Sequence, residues 1–273
     1  MRIRGVGRLK HYLRIAIATH RRSPVVKTLH ALASFMESAY ANECSVHWFS
    51  GEVPVIKKLR AARFGIVFDV GANFGDWSSV ALEAWPECQV HAFEVAPATY
   101  ERLHKNFSRP EMKGRIIVNC LGLAEKSGER EMYYFPEHPD MSGPAARYGH
   151  FVTVPFQAHL STGDEYCDRQ GIDRVDFLKI DVEGGEPQVM EGFEKRLRAQ
   201  KIHCVQFEYG KFSAETKFLL VDYYQRLGDL YWIGKIYPSY VDFRDYDFSM
   251  EDFRFSNYLC VSKQRPELRD ILR

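Results

Sequence analysis

Three carboxylates stand where short apolar runs end, and these runs have the character of buried strands. Asp69 lies in the first run, GIVFDV; Glu94 directly follows the second, CQVHAF; and Asp181 directly follows the third, VDFLKI. In an open parallel sheet, ligands bind beyond the carboxyl ends of the strands, so the three carboxylates are predicted to face one crevice. A carboxylate in such a place can hold the hydroxyl groups of a ligand or remove a proton from one.

The turn after the first run, GANFG at 71–75, differs from a dinucleotide-binding turn. Such a turn carries GxGxxG, but Asn73 and Asp76 occupy the second and third glycine positions. The turn therefore lacks glycines that let a pyrophosphate approach, which argues against a dehydrogenase. Glu94 is placed to accept both hydroxyls of a ribose. A ligand with an adenosine ribose and no pyrophosphate fits better, and S-adenosylmethionine is such a ligand, with Asp69 and the turn facing its amino-acid end.

Three segments resemble a known family: VFDVGANFG at 67–75, FEVAP at 93–97 and DFLKIDVEGGE at 176–186. On these segments the sequence resembles the FkbM-type S-adenosylmethionine-dependent methyltransferases. The resemblance implies an α/β protein with the Rossmann-like seven-stranded class I methyltransferase fold, ending in an antiparallel hairpin at 230–236 and 257–262. It also implies methylation of hydroxyl groups, often on sugars of glycolipids, polysaccharides or natural products.

The resemblance assigns the cofactor site to the loops at the strand ends. The family usually has T-L-D before the helix that leads to the fourth strand, where this chain has STGD at 161–164. It often has an acid shortly after the third strand, where Leu123 stands here and is suited to packing on the adenine ring. The predicted cofactor-binding residues are Asp69, Gly71, Ala72, Asn73, Gly75, Trp77, Ser78, Glu94, Val95, Gly122, Leu123 and Asp181.

The run KIDVE at 179–183 holds candidate catalytic residues. Methyl transfer to an alcohol needs the acceptor oxygen in line with the methyl group and needs its proton removed. Alternation along the strand puts Lys179, Asp181 and Glu183 on one side, with Asp181 as candidate base and Lys179 as its charge partner. A second interpretation is a Mg²⁺ or Mn²⁺ site at Asp181, Glu183 and Glu208. A third is an ion-pair network that only pins the strand to the next helix.

Two histidines are rival candidates for the base. His150 ends a segment rich in proline, 136–150, and His159 lies shortly after it. A lone histidine in a loop is usually solvated, which makes both weaker candidates than Asp181. A second long segment, 237–256, is rich in aromatic residues and is suited to stacking on sugar faces or packing on an acyl chain.

Strands alternate with helices from residue 64 onward, which predicts a parallel sheet with helices on both faces. The domain boundaries predicted from this change of pattern are a basic helical N-terminal extension at 1–60 and an S-adenosylmethionine-dependent methyltransferase domain at 61–273. The predicted parallel strands are 66–70, 88–93, 115–120, 175–180 and 203–208.

The 273 residues carry a formal net charge of +1, but the charge is unevenly distributed. Residues 1–63 hold twelve Lys/Arg and three Glu, for +9, which leaves −8 on the rest. The basic segment is interpreted either as a solvated cap on the main domain or as a helix lying on an anionic membrane. An RNA methyltransferase could use it as an electrostatic footprint, but the acidic remainder argues against a nucleic-acid partner.

The remaining composition points to the cytoplasm, with peripheral membrane contact as an option. Six cysteines without a CxxC pair, and no secretory signal, favour a reducing compartment. The expected partner is a small-molecule or glycan or glycolipid acceptor, and a homodimer stays open. A non-catalytic binding protein on the same fold is a further alternative, against which the intact Asp69, Glu94 and Asp181 argue.

Overall fold

A computed structural model describes residues 3–44, 46–137 and 152–273. Its strands are β1 Ile66–Val70, β2 Gln89–Phe93, β3 Ile116–Asn119, β4 Gly122–Leu123, β5 Gly128–Tyr134, β6 Val154–Ser161, β7 Val175–Ile180, β8 Ile202–Tyr209, β9 Tyr231–Ile236, β10 Val241–Phe243 and β11 Ser256–Ser262. Its α-helices are α1 Ile3–Thr19, α2 Pro24–Tyr40, α3 His47–Ser50, α4 Glu52–Lys58, α5 Asp76–Ala84, α6 Pro97–Asn106, α7 Gly163–Gln170, α8 Glu186–Gly192, α9 Glu194–Arg198, α10 Phe212–Thr216, α11 Leu220–Leu227 and α12 Pro266–Leu272.

The main sheet has the order β10-β9-β11-β8-β7-β1-β2-β3. The pairs β3-β2, β2-β1, β1-β7 and β7-β8 are parallel, whereas β11 is antiparallel to both β8 and β9. The seven-stranded α/β fold and its final antiparallel hairpin are therefore confirmed. The short β10 adds an eighth strand at the edge, beside β9, because part of the aromatic segment 237–256 folds back on the hairpin.

Both faces of the central strands are buried, which is why they read as continuous apolar runs. Phe68 and Leu178 belong to one core cluster, and Val67 and Phe177, the preceding residues of the same two strands, belong to the other. Side chains alternate between the two faces of a strand, so each strand packs against helices on both sides. This packing fixes the position of the carboxyl ends of β1 and β7, and with them the residues of the site that follow.

A second, three-stranded sheet of order β4-β6-β5 lies between β3 and α7 in the chain. The strands on either side of segment 136–150, β5 and β6, pair over seven residues from Gly128–Leu160 to Tyr134–Val154. Glu129 and Glu131 of β5 and Pro155, Gln157 and His159 of β6 are exposed, as in a sheet with one solvated face. Thr162 then caps α7 by accepting the Glu165 N–H at 3.1 Å.

The chain divides into two compact units, Met1–Glu43 and Cys44–Arg273. This division lies N-terminal to the domain boundary predicted at residue 60, because Val53, Ile56 and Leu59 are buried in the core of the larger unit. In the smaller unit, Ser23 caps α2 by accepting the Val26 N–H at 3.2 Å. Among the described residues, no helix combines the length and the apolar character that a membrane span requires.

Candidate active site

The loops after β1, β2 and β7 meet at the carboxyl end of the sheet. Gly71 has φ +80°, and a Cβ there would lie 1.8 Å from the carbonyl oxygen of Asp181. The backbone N–H groups of Gly71 and Ala72 both donate to the carbonyl of Phe93, at 3.0 and 2.9 Å. Only glycine permits this close approach of the loop after β1 to the loop after β7. The glycine at position 71 is therefore required for packing, in addition to any role in binding a ligand.

Glu94 is a buried carboxylate held by backbone donors. Its Oε2 accepts the Asn73 N–H at 3.0 Å and its Oε1 accepts the Ala96 N–H at 2.9 Å. Burial raises the pKa of Glu94 to about 7, against the lowering effect of these hydrogen bonds. Since each carboxylate oxygen can accept more than one hydrogen bond, Glu94 retains capacity for ligand hydroxyls.

A buried ammonium lies between two of the predicted acids. Lys179 Nζ is 3.3 Å from Asp69 Oδ1 and 3.1 Å from Asp181 Oδ2. Burial acts to lower the pKa of Lys179, but the charges of Asp181 and Asp69 outweigh it and raise the pKa above its ordinary value. Asp69 itself is fully buried and accepts the Ser78 hydroxyl at 2.6 Å. Asp69 and Ser78 therefore support the first loop from beneath.

A cavity of about 220 Å³ opens between these loops and the second sheet. Its wall is apolar toward β4 and β6 and polar toward the ends of β1 and β7. Of the residues predicted from sequence, those that line it are Gly71, Asn73, Glu94, Val95, Gly122, Leu123, Asp181 and Glu183. Lining residues that sequence reasoning missed include Arg130, Met132, Leu160, Gln188 and Thr216; they come from elements whose approach to this cavity leaves no local pattern in the sequence.

A smaller cavity, of about 70 Å³, lies on the other side of Asp181. Trp77, predicted as a cofactor-binding residue, is placed here instead of in the larger cavity. The lining residues are Glu52, Trp77, Lys179, Asp181, Glu208, Phe255 and Asn257. Asp181 thus contributes to both cavities, which is the position expected of a group between two ligands.

Three carboxyl groups cluster at this point. Oxygen atoms of Asp181, Glu183 and Glu208 all lie within 4.8 Å of one another. Burial raises the pKa of Glu208 well above its ordinary value, and the negative charges of Asp181 and Glu183 add to the effect. The cluster is therefore suited to holding either a proton or a cation.

Glu186 fixes the turn that carries this cluster. It accepts the backbone N–H groups of Val182 at 3.0 Å and Gly184 at 3.2 Å. Burial raises the pKa of Glu186 to about 7. It resembles Glu94 in burial and in its backbone donors, but it is not among the residues that line the cavities of the described chain.

Of the two histidine candidates, His159 is among the described residues, and the structure does not bring it to the site. His159 lies on β6 with its side chain 68% exposed, and Nδ1 is 3.4 Å from Glu129 Oε1. Within the described residues it lines neither cavity. His150 lies outside the described residues.

Comparison with known proteins bears on the identity of the chain. Residues 69–250 match the Methyltransferase FkbM domain. The chain is 25% identical to hexuronic acid methyltransferase AglP of Haloferax volcanii, over 80% of this chain and 88% of that protein. It is 32% identical to 31-O-demethyl-FK506 methyltransferase FkbM of Streptomyces tacrolimicus, over 47% of this chain and 59% of that protein.

Among solved structures, the methyltransferase FkbM of Methylobacillus flagellatus aligns with a TM-score of 0.46 and 15% identity. The alignment covers 72% of this chain and 43% of that one. The domain match covers more than half of the residues and includes all three strand-end carboxylates. The chain belongs to the FkbM family of S-adenosylmethionine-dependent methyltransferases.

Proposed function

We propose that this protein transfers a methyl group to a hydroxyl of a sugar, on a glycan, a glycolipid or a glycosylated natural product. The observation that carries the proposal is the position of Asp181, which lines both cavities and lies 3.1 Å from the buried ammonium of Lys179. The relative named 31-O-demethyl-FK506 methyltransferase supports an oxygen acceptor, and the relative named hexuronic acid methyltransferase supports an acceptor of the sugar class.

The larger cavity fits S-adenosylmethionine by its chemistry. Glu94 accepts the ribose hydroxyls, because it is the carboxylate held at the end of β2. Leu123 and Val95 supply the apolar wall for the adenine. The turn 71–75 and Asp181 face the amino-acid end. Bound there, S-adenosylmethionine supplies a methyl group on a sulfonium, a leaving group that needs no acid.

Asp181 is the general base of this proposal. The carboxylate takes the acceptor's hydroxyl proton as the oxygen forms its bond to the methyl carbon and the sulfur–carbon bond breaks. Lys179 holds the Asp181 carboxylate in position, and Asp69 anchors Lys179 from the opposite side. The protein's main contribution is thus to orient the acceptor oxygen and to receive one proton.

The test is methyl transfer from labelled S-adenosylmethionine to a panel of methyl hexosides and hexuronates. Asp181→Asn is expected to lower the rate by about 10²–10⁴-fold, the usual contribution of a positioned base. Asp173→Asn is the matched control, since Asp173 forms an exposed ion pair with Lys201, and it should keep the wild-type rate. Asp181→Asn with more than about a tenth of the wild-type rate would contradict the role of Asp181.

The carboxyl cluster supports a second proposal, a Mg²⁺ or Mn²⁺ site at Asp181, Glu183 and Glu208. Glu208 is 7% exposed, and among the described residues its Oε1 accepts no hydrogen bond. A cation there lowers the pKa of a coordinated hydroxyl. Mn²⁺ binding measured by electron paramagnetic resonance should weaken about tenfold or more in Glu208→Gln and stay unchanged in Glu194→Gln. Equal affinities of wild type and Glu208→Gln would overturn it.

The N-terminal helices support peripheral attachment to an anionic membrane on the cytoplasmic side. Residues 1–43 hold eight Lys/Arg and two Glu, for +6, and these helices also carry exposed apolar side chains, as helices that lie on membranes do. The full chain should sediment with vesicles that contain phosphatidylserine and not with phosphatidylcholine alone. Dimerisation without vesicles would instead assign these faces to a second copy. The exposed apolar residues include Leu9, Tyr12, Leu13, Ile15, Ile17, Val25, Leu29, Leu32, Phe35, Met36 and Tyr40.

A further inference from the structure

The smaller cavity contains a buried donor that has no partner. Trp77 is 5% exposed, and its Nε1–H finds no acceptor among the described residues. Trp85, a second buried tryptophan, donates its Nε1–H to the Leu59 carbonyl at 3.0 Å. An unsatisfied buried donor costs free energy, and Trp77 lines the cavity, so its indole is the donor to consider for an oxygen acceptor bound there.

The Trp77 ring is fixed in place by packing. Its centroid is 5.4 Å from that of Phe177, a fully buried residue of β7. Phe255 supplies a second aromatic ring in the wall of the same cavity. Aromatic walls beside a hydrogen-bond donor suit a sugar, whose ring offers apolar C–H groups and hydroxyls together.

A network of side chains holds the carboxylate of Glu52 on the opposite side. Glu52 Oε1 accepts the Ser50 hydroxyl at 2.9 Å and the Asn257 Nδ2–H at 3.1 Å. Oε2 accepts from Gln206 Nε2 at 2.5 Å. Burial raises the pKa of Glu52, which means that the protein resists negative charge at this place.

The charges of the cavity wall are unbalanced. Three carboxyl groups, those of Glu52, Asp181 and Glu208, face a single ammonium, that of Lys179. With no cation bound at the carboxyl cluster, an entering carboxylate would bring a further negative charge to a wall where burial already disfavours ionisation of Glu52 and Glu208, and in a partly desolvated space its repulsion from Asp181 is stronger than in water. A neutral hydroxyl can donate to a carboxylate and accept from the Trp77 indole without this cost.

From these contacts we propose that the smaller cavity is the acceptor subsite and that it admits the hydroxyl-bearing edge of a neutral sugar while excluding a uronate. The proposal rests on the proposed function. It departs from the relative of Haloferax volcanii, which is named a hexuronic acid methyltransferase, because the excess of carboxyl groups in this wall sets the selectivity of this chain.

The experiment follows the indole N–H signal of Trp77 by ¹⁵N nuclear magnetic resonance in the full chain with S-adenosylhomocysteine. Methyl glucoside, methyl galactoside and methyl mannoside are added as neutral probes, and methyl glucuronate as the charged probe. At least one neutral hexoside should shift the signal of Trp77, and the glucuronate should need about tenfold more ligand for the same shift. Loss of a signal in Trp77→Phe assigns it, and Trp232→Phe is the control.

The outcomes separate the two proposals. Binding of S-adenosylhomocysteine without a Trp77 shift from any neutral hexoside would overturn the subsite and leave the methyltransferase intact. A shift from glucuronate equal to that from the hexosides would overturn the exclusion of uronates. Failure of folded protein to bind S-adenosylhomocysteine would overturn the proposed function itself.

In Glu52→Gln, the preference for the neutral probe should shrink several-fold; an unchanged preference would overturn the role of Glu52.

Discussion

Glu94 in the larger cavity and Glu52 in the smaller one are both buried carboxylates, but they are held by different kinds of donor. Glu94 accepts from backbone N–H groups of Asn73 and Ala96, at the two loop ends beside it. Glu52 accepts from the side chains of Gln206 and Asn257, 154 and 205 residues away in the chain. The carboxylate of the proposed cofactor side is thus held by local backbone geometry, whereas that of the proposed acceptor side is held by side chains from remote elements.

The largest expected effect concerns Gly71, which lies against the backbone carbonyl of Asp181. Gly71 and Gly114 both have φ +80°, but a Cβ at Gly114 meets nothing within 4 Å. Gly114→Ala should lower the free energy of unfolding by about 1–2 kcal/mol, the cost of a left-handed backbone. Gly71→Ala should lower it by about 2–3 kcal/mol more, because the Cβ overlaps the Asp181 carbonyl. Urea denaturation measures both, and equal losses would contradict the contact.

The pH dependence of cofactor affinity distinguishes Glu94 from the other acids. Its pKa of about 7 means that the unliganded carboxyl is protonated below pH 7 and ionised above it. Ribose hydroxyls donate to the ionised form, so affinity for S-adenosylhomocysteine should rise up to about fivefold between pH 6 and 7 and level off above pH 8. Glu94→Gln should flatten the profile. Parallel profiles for the two proteins would show that another group titrates.

A smaller effect tests whether the two cavities act independently. Met132 lines the larger cavity and Phe255 the smaller one, and both are half-buried. Met132→Ala should weaken binding of S-adenosylhomocysteine about fivefold, roughly 1 kcal/mol of apolar contact. Phe255→Ala should leave that affinity within about twofold. If calorimetric titration shows a larger effect for Phe255→Ala than for Met132→Ala, the proposal that the two cavities act independently is contradicted.

The sequence predicted those parts of the molecule whose signals are local. The turn 71–75 and the run 176–186 reveal their place at strand ends through glycine spacing and apolar runs, and Glu94 follows from the second strand. The paired β5 and β6 and the role of Glu52 could not be found in this way. Exposed, alternating strands carry a weak pattern, and a buried acid on α4 is recognisable only once β8 and β11 are in register beside it.

The domain boundary shows the same limit. Residues 44–60 carry the same basic, helical pattern as the residues before them, yet Val53 and Ile56 are buried in the larger unit. Helical periodicity in the sequence shows that one face of a helix is apolar, but it does not show which part of the protein packs on that face. Only tertiary packing distinguishes residues 44–60, which include Glu52 of the smaller cavity, from the residues before them.

The most direct test of the central claim is calorimetric titration of S-adenosylhomocysteine into wild type, Glu94→Gln and Glu186→Gln. Both glutamates are buried, accept backbone N–H groups and have a pKa raised to about 7, but only Glu94 of the two lines the larger cavity. We expect Glu94→Gln to weaken binding at least about tenfold, on the order of 1.4 kcal/mol, and Glu186→Gln to change it less than about threefold. Equal losses in the two variants, or no binding by folded wild-type protein, would contradict the assignment of this cavity to the cofactor.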